Sequence, residues 1–403
     1  MERINATTGS YNFIDLFAGA GGLSEGFIQA GFSPVAHVEM NPYAAQTLET
    51  RTGYYYLKAQ GKLDIYKDYI SGKITRDEFL QHIPEEQLQS VFCETMSNET
   101  LPRLFENIDR ILTQRGIKQV DVIIGGPPCQ GFSVAGPRDM NDKRNTLYLA
   151  MVKLAATLKP QAVVLENVPG MLQTNGGIGA KRIIEDFAEI GYKMTPKLLY
   201  APDYGIPQIR KRVFFVGLRD SENAFEFPEP FVDSKDYVTC EDAISDLPSL
   251  QTSDGEIVYG EEIQEYETEP KTEYQKMMRK NSKSVRNHIG SIPIEKTKKM
   301  ISLVPEGKNY KALPEEYRGM YKYHEALTRY NSKKPSLTIN TGHRSHFHYK
   351  YNRIPTVRES ARSQSFPDDF IFYGNKSQQY KQGGNAVPPM LEKMIEQNMV
   401  KNY

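Results

Sequence analysis

The first 219 residues alternate between short apolar runs and longer segments whose hydrophobic positions have helical spacing. The apolar runs are rich in β-branched and aromatic residues and predict buried strands at 13–17, 35–39, 120–124, 162–165 and 212–218. Helical patterns lie between several of these runs, most clearly at 147–158 and 180–190. Because strands that alternate with helices form βαβ units, we expect an α/β fold with a doubly wound, mostly parallel, Rossmann-like sheet.

The regular pattern stops near residue 219 and returns close to the end of the chain. Residues 220–352 are polar and irregular, and they predict a second, smaller domain beside the domain formed by 1–219. The segment 353–403 regains an ordered pattern, so we expect it to return and complete the first domain. Residues 53–118 are mainly helical in composition and contain no motif with an evident function.

The charges are segregated along the chain, although the formal net charge is zero. Residues 221–270 contain 15 Asp and Glu against one Lys, whereas 271–360 contain 20 Lys and Arg against 7 Glu. The basic stretch also holds many tyrosines and five of the seven histidines. A basic, aromatic-rich segment suits contact with nucleic-acid phosphates, but two solvated faces with opposite charge would give the same pattern.

Composition excludes several classes of protein. The hydrophobic fraction of 39% and the charged fraction of 25% are those of an ordinary globular protein. No apolar run approaches the roughly 18 residues of a membrane span, and the first residues lack the apolar core of a signal peptide. Three scattered cysteines do not make a disulfide framework or a zinc site. We expect a cytoplasmic protein that uses no metal and no membrane.

A glycine-rich turn follows the first predicted strand. Gly19, Gly21 and Gly22 allow a tight turn and a close backbone approach to a ligand, and the helix that follows favours an anionic group at its start. Glu39 ends the next strand, where its carboxylate can accept both hydroxyls of a ribose. The pair predicts a nucleoside cofactor but fits a nicotinamide enzyme as well as a methyltransferase. The alternative is a structural turn, with Glu39 capping a helix.

A candidate nucleophile follows the strand at 120–124. Two glycines and two prolines come directly before Cys129, at the edge of the sheet where open α/β folds bind ligands. A lone cysteine is usually a small core residue, but these loop-forming neighbours argue against a core position. Glu166 ends a neighbouring strand, and Arg210 and Arg212 open another with the spacing that places both side chains on one face.

Several motifs, taken in order, resemble those of the C5-cytosine DNA methyltransferase family. They are FAGAGG at 17–22, GPPCQGFS at 126–133, ENV at 166–168, QIRKR at 208–212, RESARSQSFP at 358–367 and GNAVP at 384–388. The resemblance covers roughly 1–52, 120–218 and 353–390. It implies the S-adenosylmethionine-dependent methyltransferase fold, S-adenosyl-L-methionine as methyl donor with S-adenosyl-L-homocysteine as product, and double-stranded DNA as substrate. It also implies that 220–352 recognises the DNA sequence.

The resemblance assigns residues to roles. The cofactor pocket would include residues of the glycine loop, of neighbouring strand ends and of the last motif, namely Asp15, Phe17, Ala18, Gly19, Gly21, Gly22, Leu23, Glu39, Met40, Pro127, Leu147, Asn385 and Ala386. Catalysis would use Cys129, Glu166, Arg210 and Arg212. DNA contacts would come from Gln130, Ser133, Arg138, Arg144 and Arg344.

Two functional groups stay unassigned in the sequence. The family's short acidic motif that contacts the adenine ring is not evident between Glu39 and Cys129, and Cys93–Glu94 is only a weak candidate. The base that removes the carbon-5 proton is also unidentified, and water is the simplest choice.

The resemblance also implies a biological setting. We expect a monomeric modification enzyme of a restriction-modification system, associated with the nucleoid through DNA. A cognate restriction endonuclease would act on the same site without forming a stable complex with it.

Three alternatives differ in what they explain. A tRNA cytosine methyltransferase of the same family would contain the same Pro-Pro-Cys-Gln motif, but the large basic block favours DNA. A nicotinamide-dependent oxidoreductase leaves Cys129, Glu166 and Arg212 unexplained. A catalytically silent DNA-binding relative is disfavoured because that set of side chains is intact.

Overall fold

The computed structural model describes residues 11–128, 147–320, 326–342 and 345–402. Some of the residues predicted to act in catalysis or DNA contact lie outside these ranges, namely Cys129, Gln130, Ser133, Arg138, Arg144 and Arg344. Within the described ranges, no helix combines the length and the apolar character needed to span a bilayer.

The secondary structure follows the predicted alternation in the first half of the chain. The strands are β1 (Asn12–Leu16), β2 (Ser33–Glu39), β3 (Val91–Cys93), β4 (Val122–Gly125), β5 (Ala162–Asn167), β6 (Tyr192–Tyr200), β7 (Gln208–Ile209), β8 (Lys211–Arg219), β9 (Ile263–Glu265), β10 (Ser284–Arg286), β11 (Thr328–Arg329), β12 (Ser336–Leu337) and β13 (His346–Phe347). The helices are α1 (Gly22–Gln29), α2 (Pro42–Ala59), α3 (Leu63–Ile70), α4 (Arg76–Leu80), α5 (Glu85–Leu88), α6 (Leu101–Arg115), α7 (Tyr148–Leu158), α8 (Gly170–Gln173), α9 (Ile178–Glu189), α10 (Cys240–Ile244), α11 (Glu273–Arg279), α12 (Glu295–Ser302), α13 (Glu315–Arg318), α14 (Val357–Ser363), α15 (Lys376–Asn385) and α16 (Pro389–Asn402).

The central sheet has seven strands in the order β3-β2-β1-β4-β5-β8-β6. Strand β8 runs antiparallel to both of its neighbours, and the other pairings are parallel. This topology confirms the predicted doubly wound, mostly parallel sheet. Because β1, β2, β4 and β5 are parallel, their carboxyl ends share one edge of the sheet. The strand order changes direction between β1 and β4, and such folds bind ligands outside the carboxyl ends at this kind of point.

Side chains alternate between the two faces of the sheet. Phe13, Ile124 and Val164 pack with α1 and α16 on one face. Ile14 and Ile123 pack with α6, α7 and α9 on the other face. Since successive residues of a strand point to opposite faces, this register also fixes the direction of the polar residues that end each strand.

The C-terminal helix α16 covers the same face as α1. The two helices approach so closely that a Cβ on Gly26 would lie 2.4 Å from Cβ of Glu392. This contact is consistent with the expectation that 353–403 returns to the first domain, although the domain boundaries themselves stay predictions.

The helical segment between β2 and β3 joins distant parts of the chain. Its aromatic side chains form a cluster with Ile371, and Tyr66 donates a hydrogen bond of 2.6 Å to the carbonyl of Asp369. Arg286, from the predicted second domain, donates to the carbonyls of Tyr69 and Ile70 at 2.9 Å each. The helical segment α2 to α5 therefore contacts both the region 220–352 and the C-terminal segment, and links them to the sheet.

Candidate active site

The glycine loop begins directly after β1. Phe17 has a φ of 59°, a left-handed conformation that is uncommon for a residue with a large side chain. Gly21 follows with a φ of 86° as the N-cap of α1. A Cβ on Gly19 would meet no atom within 4 Å, so the loop leaves open space on that side.

The last motif of the chain packs against this loop. A Cβ on Gly22 would lie only 2.4 Å from the carbonyl oxygen of Val387, so only glycine permits this approach. Ala386 is buried beside Ala20, whereas Asn385 is exposed. The first and last motifs, more than 350 residues apart in sequence, thus form one surface with the amide of Asn385 open to a ligand.

Glu39 fixes the loop to the end of β2. Its Oε2 accepts a hydrogen bond of 2.8 Å from the backbone N–H of Gly19, and its Oε1 accepts one of 2.7 Å from that of Asn41. The N-cap of α2 is Asn41 itself, whose side chain accepts from Tyr43 and Ala44, so Glu39 does not cap that helix by its carboxylate. A carboxylate offers about four lone-pair sites, which leaves capacity for two ligand hydroxyls.

The neighbouring strand β3 brings an unassigned pair of residues to the same place. Cys93 lies opposite Glu39 in the register of β2 and β3, and the N–H of Glu94 donates to the carbonyl of Glu39 at 3.0 Å. Met40, next to Glu39, is 65% exposed. Sequence analysis made Cys93–Glu94 only a weak candidate, and β3, with three residues, is too short for its apolar side chains to reveal a strand.

Asp15 lies beneath the glycine loop. Its side chain is fully buried, with Oδ2 accepting a hydrogen bond from the hydroxyl of Ser24. Oδ1 has no hydrogen-bond partner among the described residues. Burial raises the pKa of Asp15 to about 8, against the opposing influence of Ser24. With no exposed surface, Asp15 supports the loop from below.

The remaining predicted pocket residues differ in exposure. The side chain of Leu23 is buried in the core between α1 and the sheet, so only its backbone in the first turn of α1 can face a ligand. Ala18 is buried and donates its N–H to the carbonyl of Val38 at 3.0 Å. Leu147 is half-buried at the start of α7.

Glu166 and Arg212 form an ion pair at the carboxyl end of β5. The distance between Nε of Arg212 and Oε1 of Glu166 is 2.7 Å, and both side chains are largely buried. Burial raises the pKa of Glu166 above its usual value, while Arg212 and Arg210 oppose this increase. A carboxyl group with a raised pKa that also faces a guanidinium can supply a proton and a positive charge at one point.

The loop that precedes Cys129 is attached to this strand end. The side-chain amide of Asn167 donates a hydrogen bond of 3.1 Å to the carbonyl of Pro127. A Cβ on Gly126 would lie 3.3 Å from Oε2 of Glu166, so the loop passes directly beside that carboxyl group. The motifs at 126–128 and 166–168 therefore meet as predicted, while Cys129 itself lies outside the described residues.

Arg210 has a different environment from Arg212. It is 1% exposed, and its guanidinium donates to the side chain of Gln208 and to the backbone carbonyls of Ile339, Gly384 and Ala386. The expectation of a second cation that faces substrate receives no support from these contacts. The sequence could not distinguish the roles of Arg210 and Arg212, because their spacing along a strand does not reveal which acceptors each side chain contacts.

The chain is similar to known proteins over a length that includes all of these motifs. A family model described as "C-5 cytosine-specific DNA methylase" matches residues 11–83 and 81–401. The chain is similar to the Type II methyltransferase M1.HphI of Haemophilus parahaemolyticus, with 33% identity over 395 residues that cover 97% of this chain and 87% of the relative. It is also similar to the Type II methyltransferase M.DdeI of Desulfomicrobium norvegicum, with 32% identity over 414 residues, 96% of this chain and 88% of the relative.

Solved structures with a similar fold include a prophage-encoded protein of E. coli described as a DNA modification methyltransferase. The TM-score is 0.66 and the sequence identity is 25%, with 97% of this chain and 99% of the other covered.

Proposed function

The chain belongs to the C-5 cytosine-specific DNA methylase family, and from this premise we propose that it methylates carbon 5 of a cytosine in a specific double-stranded DNA sequence. The methyl donor would be S-adenosyl-L-methionine, and the target cytosine would be flipped out of the helix. The observation that supports this most strongly is the Glu166–Arg212 pair beside the loop that leads to Cys129.

The residues around the glycine loop fit the cofactor. Glu39 offers a carboxylate with spare acceptor capacity, Gly19 borders open space, and the exposed side chains of Met40 and Asn385 flank this position. Cys93 and Glu94 lie beside Glu39, and we propose that they border the adenine ring. When bound, the cofactor supplies a methyl group that its sulfonium already activates.

The chemistry of cytosine explains why a nucleophile is needed. Carbon 5 of the free ring is too weak a nucleophile, and addition of a thiolate at carbon 6 turns the ring into an enamine-like one. We assign that addition to Cys129. Glu166 in its acid form passes a proton to ring N3 as the thiolate adds, which prevents negative charge from accumulating on the ring.

Arg212 and a base complete the cycle. The guanidinium of Arg212, next to Glu166, would hold the cytosine O2 and keep the ring in the plane of the carboxyl group. After methylation, the carbon-5 proton leaves to a base, for which water is the simplest candidate, and the Cys129 thiolate is expelled as the ring double bond reforms. The thiolate is regenerated, so the residue is not consumed.

The substrate has to leave the helix before this chemistry is possible. Glu166 is 8% exposed at the floor of the site, which a stacked cytosine cannot reach, and flipping a nucleotide costs roughly a few kcal/mol. We propose that residues 220–352 recognise the surrounding sequence, since their Lys, Arg and aromatic content suits phosphate and base contacts.

The relatives suggest the setting. Those with 32–33% identity are named Type II methyltransferases. We propose that this chain is likewise the modification enzyme of a restriction-modification system. It would act in the cytoplasm on nucleoid DNA, as a monomer and without a stable complex with the nuclease.

Bisulfite sequencing tests the proposal directly. Unmethylated plasmid is incubated with enzyme and S-adenosyl-L-methionine and then sequenced, with Cys129→Ser as the control. Cytosines protected within one recurring sequence, only with the wild-type enzyme, are the expected result. Unprotected plasmid together with methylation of tRNA by the same preparation would instead show an RNA substrate and overturn the proposal.

A further inference from the structure

One segment of the region 220–352, called the recognition region below, pairs with the strand that leads into β8. The short strand β12 pairs in parallel with β7, with Ser336 opposite Gln208 and Leu337 opposite Ile209. Ser336 adds two hydrogen bonds to the carbonyl of Pro207, of 2.9 Å from its N–H and 3.0 Å from its hydroxyl. The recognition region is therefore joined to the strand that continues into β8 and Arg212.

Gln208 and Arg210 extend this junction beyond β12. The side-chain oxygen of Gln208 accepts from the N–H of Ile339 at 3.2 Å and from Arg210 at 3.4 Å. The guanidinium of Arg210 also donates to the carbonyl of Ile339 at 3.4 Å. Ile339 is buried, while Thr338 and Thr341 on either side of it are exposed.

The other end of the same guanidinium holds the last motif. Its second terminal nitrogen donates to the carbonyl of Gly384 at 3.2 Å and to that of Ala386 at 2.8 Å, on either side of Asn385. The two segments also touch directly, because a Cβ on Gly384 would lie 2.7 Å from backbone atoms of Asn340 and Thr341. One buried side chain thus bonds the recognition region and the motif that presents Asn385.

The burial of Arg210 makes loss of its contacts with either segment costly. Burial holds the pKa of Arg210 well below its usual value, and the charge of Arg212 lowers it further against the opposing influence of Glu166. An arginine removed from water needs most of its donors satisfied, so displacing either segment leaves a costly buried charge. A lysine could not replace it, since an ammonium lacks the planar fork that reaches separate acceptors.

We propose that Arg210 is a positioning residue that couples DNA recognition to cofactor binding through the segment 336–342 and the motif 384–386. DNA bound by the region 220–352 favours the arrangement in which Ile339 bonds Arg210, Arg210 holds Gly384 and Ala386, and Asn385 is presented to the cofactor. Coupling of this kind is reciprocal, so the cofactor must tighten DNA binding by the same factor. This inference rests on the proposed function, because it requires both ligands.

The test uses the full chain and a duplex that contains the site mapped by bisulfite sequencing. S-adenosyl-L-homocysteine is titrated calorimetrically with and without saturating duplex, and the ratio of the two dissociation constants is the coupling factor. We expect a factor of at least about 5 for wild type, at the lower end of typical allosteric coupling. Arg210→Lys should bring it to within about twofold of one, while Arg219→Lys at the far end of β8 should leave it unchanged.

A second variant protects the test against misfolding of the first. Gln208→Met has a similar volume and removes the hydrogen bond that Gln208 accepts from Ile339, while Arg210 keeps its own bonds to Ile339, Gly384 and Ala386. It should retain the cofactor affinity of the free enzyme and show a coupling factor between those of wild type and Arg210→Lys. A wild-type factor of one, or wild-type coupling in the folded variants, overturns the inference. Because the duplex is chosen by demonstrated methylation, that result leaves the proposed function standing.

Discussion

Arg212 and Glu166 face each other across the antiparallel pair β5 and β8, with Nε and Oε1 separated by 2.7 Å. The alternation of side chains explains the pairing. Glu166 lies two residues beyond Val164, and Arg212 two residues before Phe214, and both of these neighbours belong to the core on the α1–α16 face. Acid and cation are thus positioned by the same strands that form the core.

Glu166→Gln is expected to abolish the acid step while the enzyme still folds and binds DNA. Glutamine has a similar shape but no transferable proton, so the single-turnover methylation rate should fall by about 10²–10⁴-fold, or roughly 3–5 kcal/mol. The rate is measured at saturating enzyme and cofactor, beside a gel-shift affinity for the same duplex. Glu189→Gln, on the exposed end of α9, is the matched control. A rate within about threefold of wild type would exclude the acid role.

The pH dependence of the same rate should report the Glu166–Arg212 contact. Because burial raises the pKa of Glu166, the acid form persists to higher pH than for a free glutamate, and the rate should fall as pH rises through the folded-state pKa. Arg212 lowers this pKa, so Arg212→Met should move the alkaline limb to higher pH while it also reduces the maximum rate. A limb that stays in place, or moves to lower pH, would contradict the assignment.

Glu39→Ala should weaken S-adenosyl-L-methionine binding by about 1.5–3 kcal/mol, the range for hydrogen bonds to a charged group. The affinity for DNA without cofactor should hardly change. Glu39→Gln should lose less, because an amide oxygen can still accept from Gly19 or Asn41 and retain the loop. Calorimetry measures all three proteins, and a dissociation constant unchanged in Glu39→Ala would remove this residue from the pocket.

Asp15→Asn should stabilise the protein increasingly as pH rises. Burial raises the pKa of Asp15 from 3.8 to about 8, so the folded state retains a proton that the unfolded chain releases. Its contribution to stability is complete below about pH 4 and is lost as pH rises toward about 8. The advantage of the variant should grow by on the order of 4 kcal/mol between about pH 5 and about pH 8.

Urea unfolding at the two pH values measures this advantage, with the exposed Asp109→Asn as control. If the free energy of unfolding of Asp15→Asn, relative to wild type, is as independent of pH as that of Asp109→Asn, Asp15 is not protonated in the folded state.

The sequence predicts those parts of the fold that depend on continuous apolar runs. The five predicted strands correspond to β1, β2, β4, β5 and β8 within a few residues, because each is buried on both faces. Strand β6 was missed because it lies at an edge of the sheet and alternates buried Tyr192 and Met194 with exposed Lys193. Its pattern has no continuous run, so tertiary pairing rather than local sequence defines it.

The site was predicted from sequence motifs, which indicate which residues lie together but not every contact that a side chain makes. They indicated that Glu39 lies beside Gly19 and Glu166 beside the Gly-Pro-Pro loop, and the structure places each pair together. They could not indicate that Arg210 is bonded to Ile339 and Gly384, because those acceptors are backbone carbonyls more than 120 residues away. Nor could composition reveal that the segment α2 to α5 contacts the sheet, the region 220–352 and the C-terminal segment.

Trapping of the covalent adduct tests the account most directly. A duplex with 5-fluorocytosine at the mapped position is incubated with enzyme and S-adenosyl-L-methionine, then denatured and resolved by electrophoresis. Fluorine cannot leave carbon 5 as a proton does, so the thiolate stays bonded to carbon 6. We predict a denaturation-resistant, methylated complex with the wild-type enzyme and none with Cys129→Ser, whereas equal trapping by both proteins would contradict the assigned nucleophile.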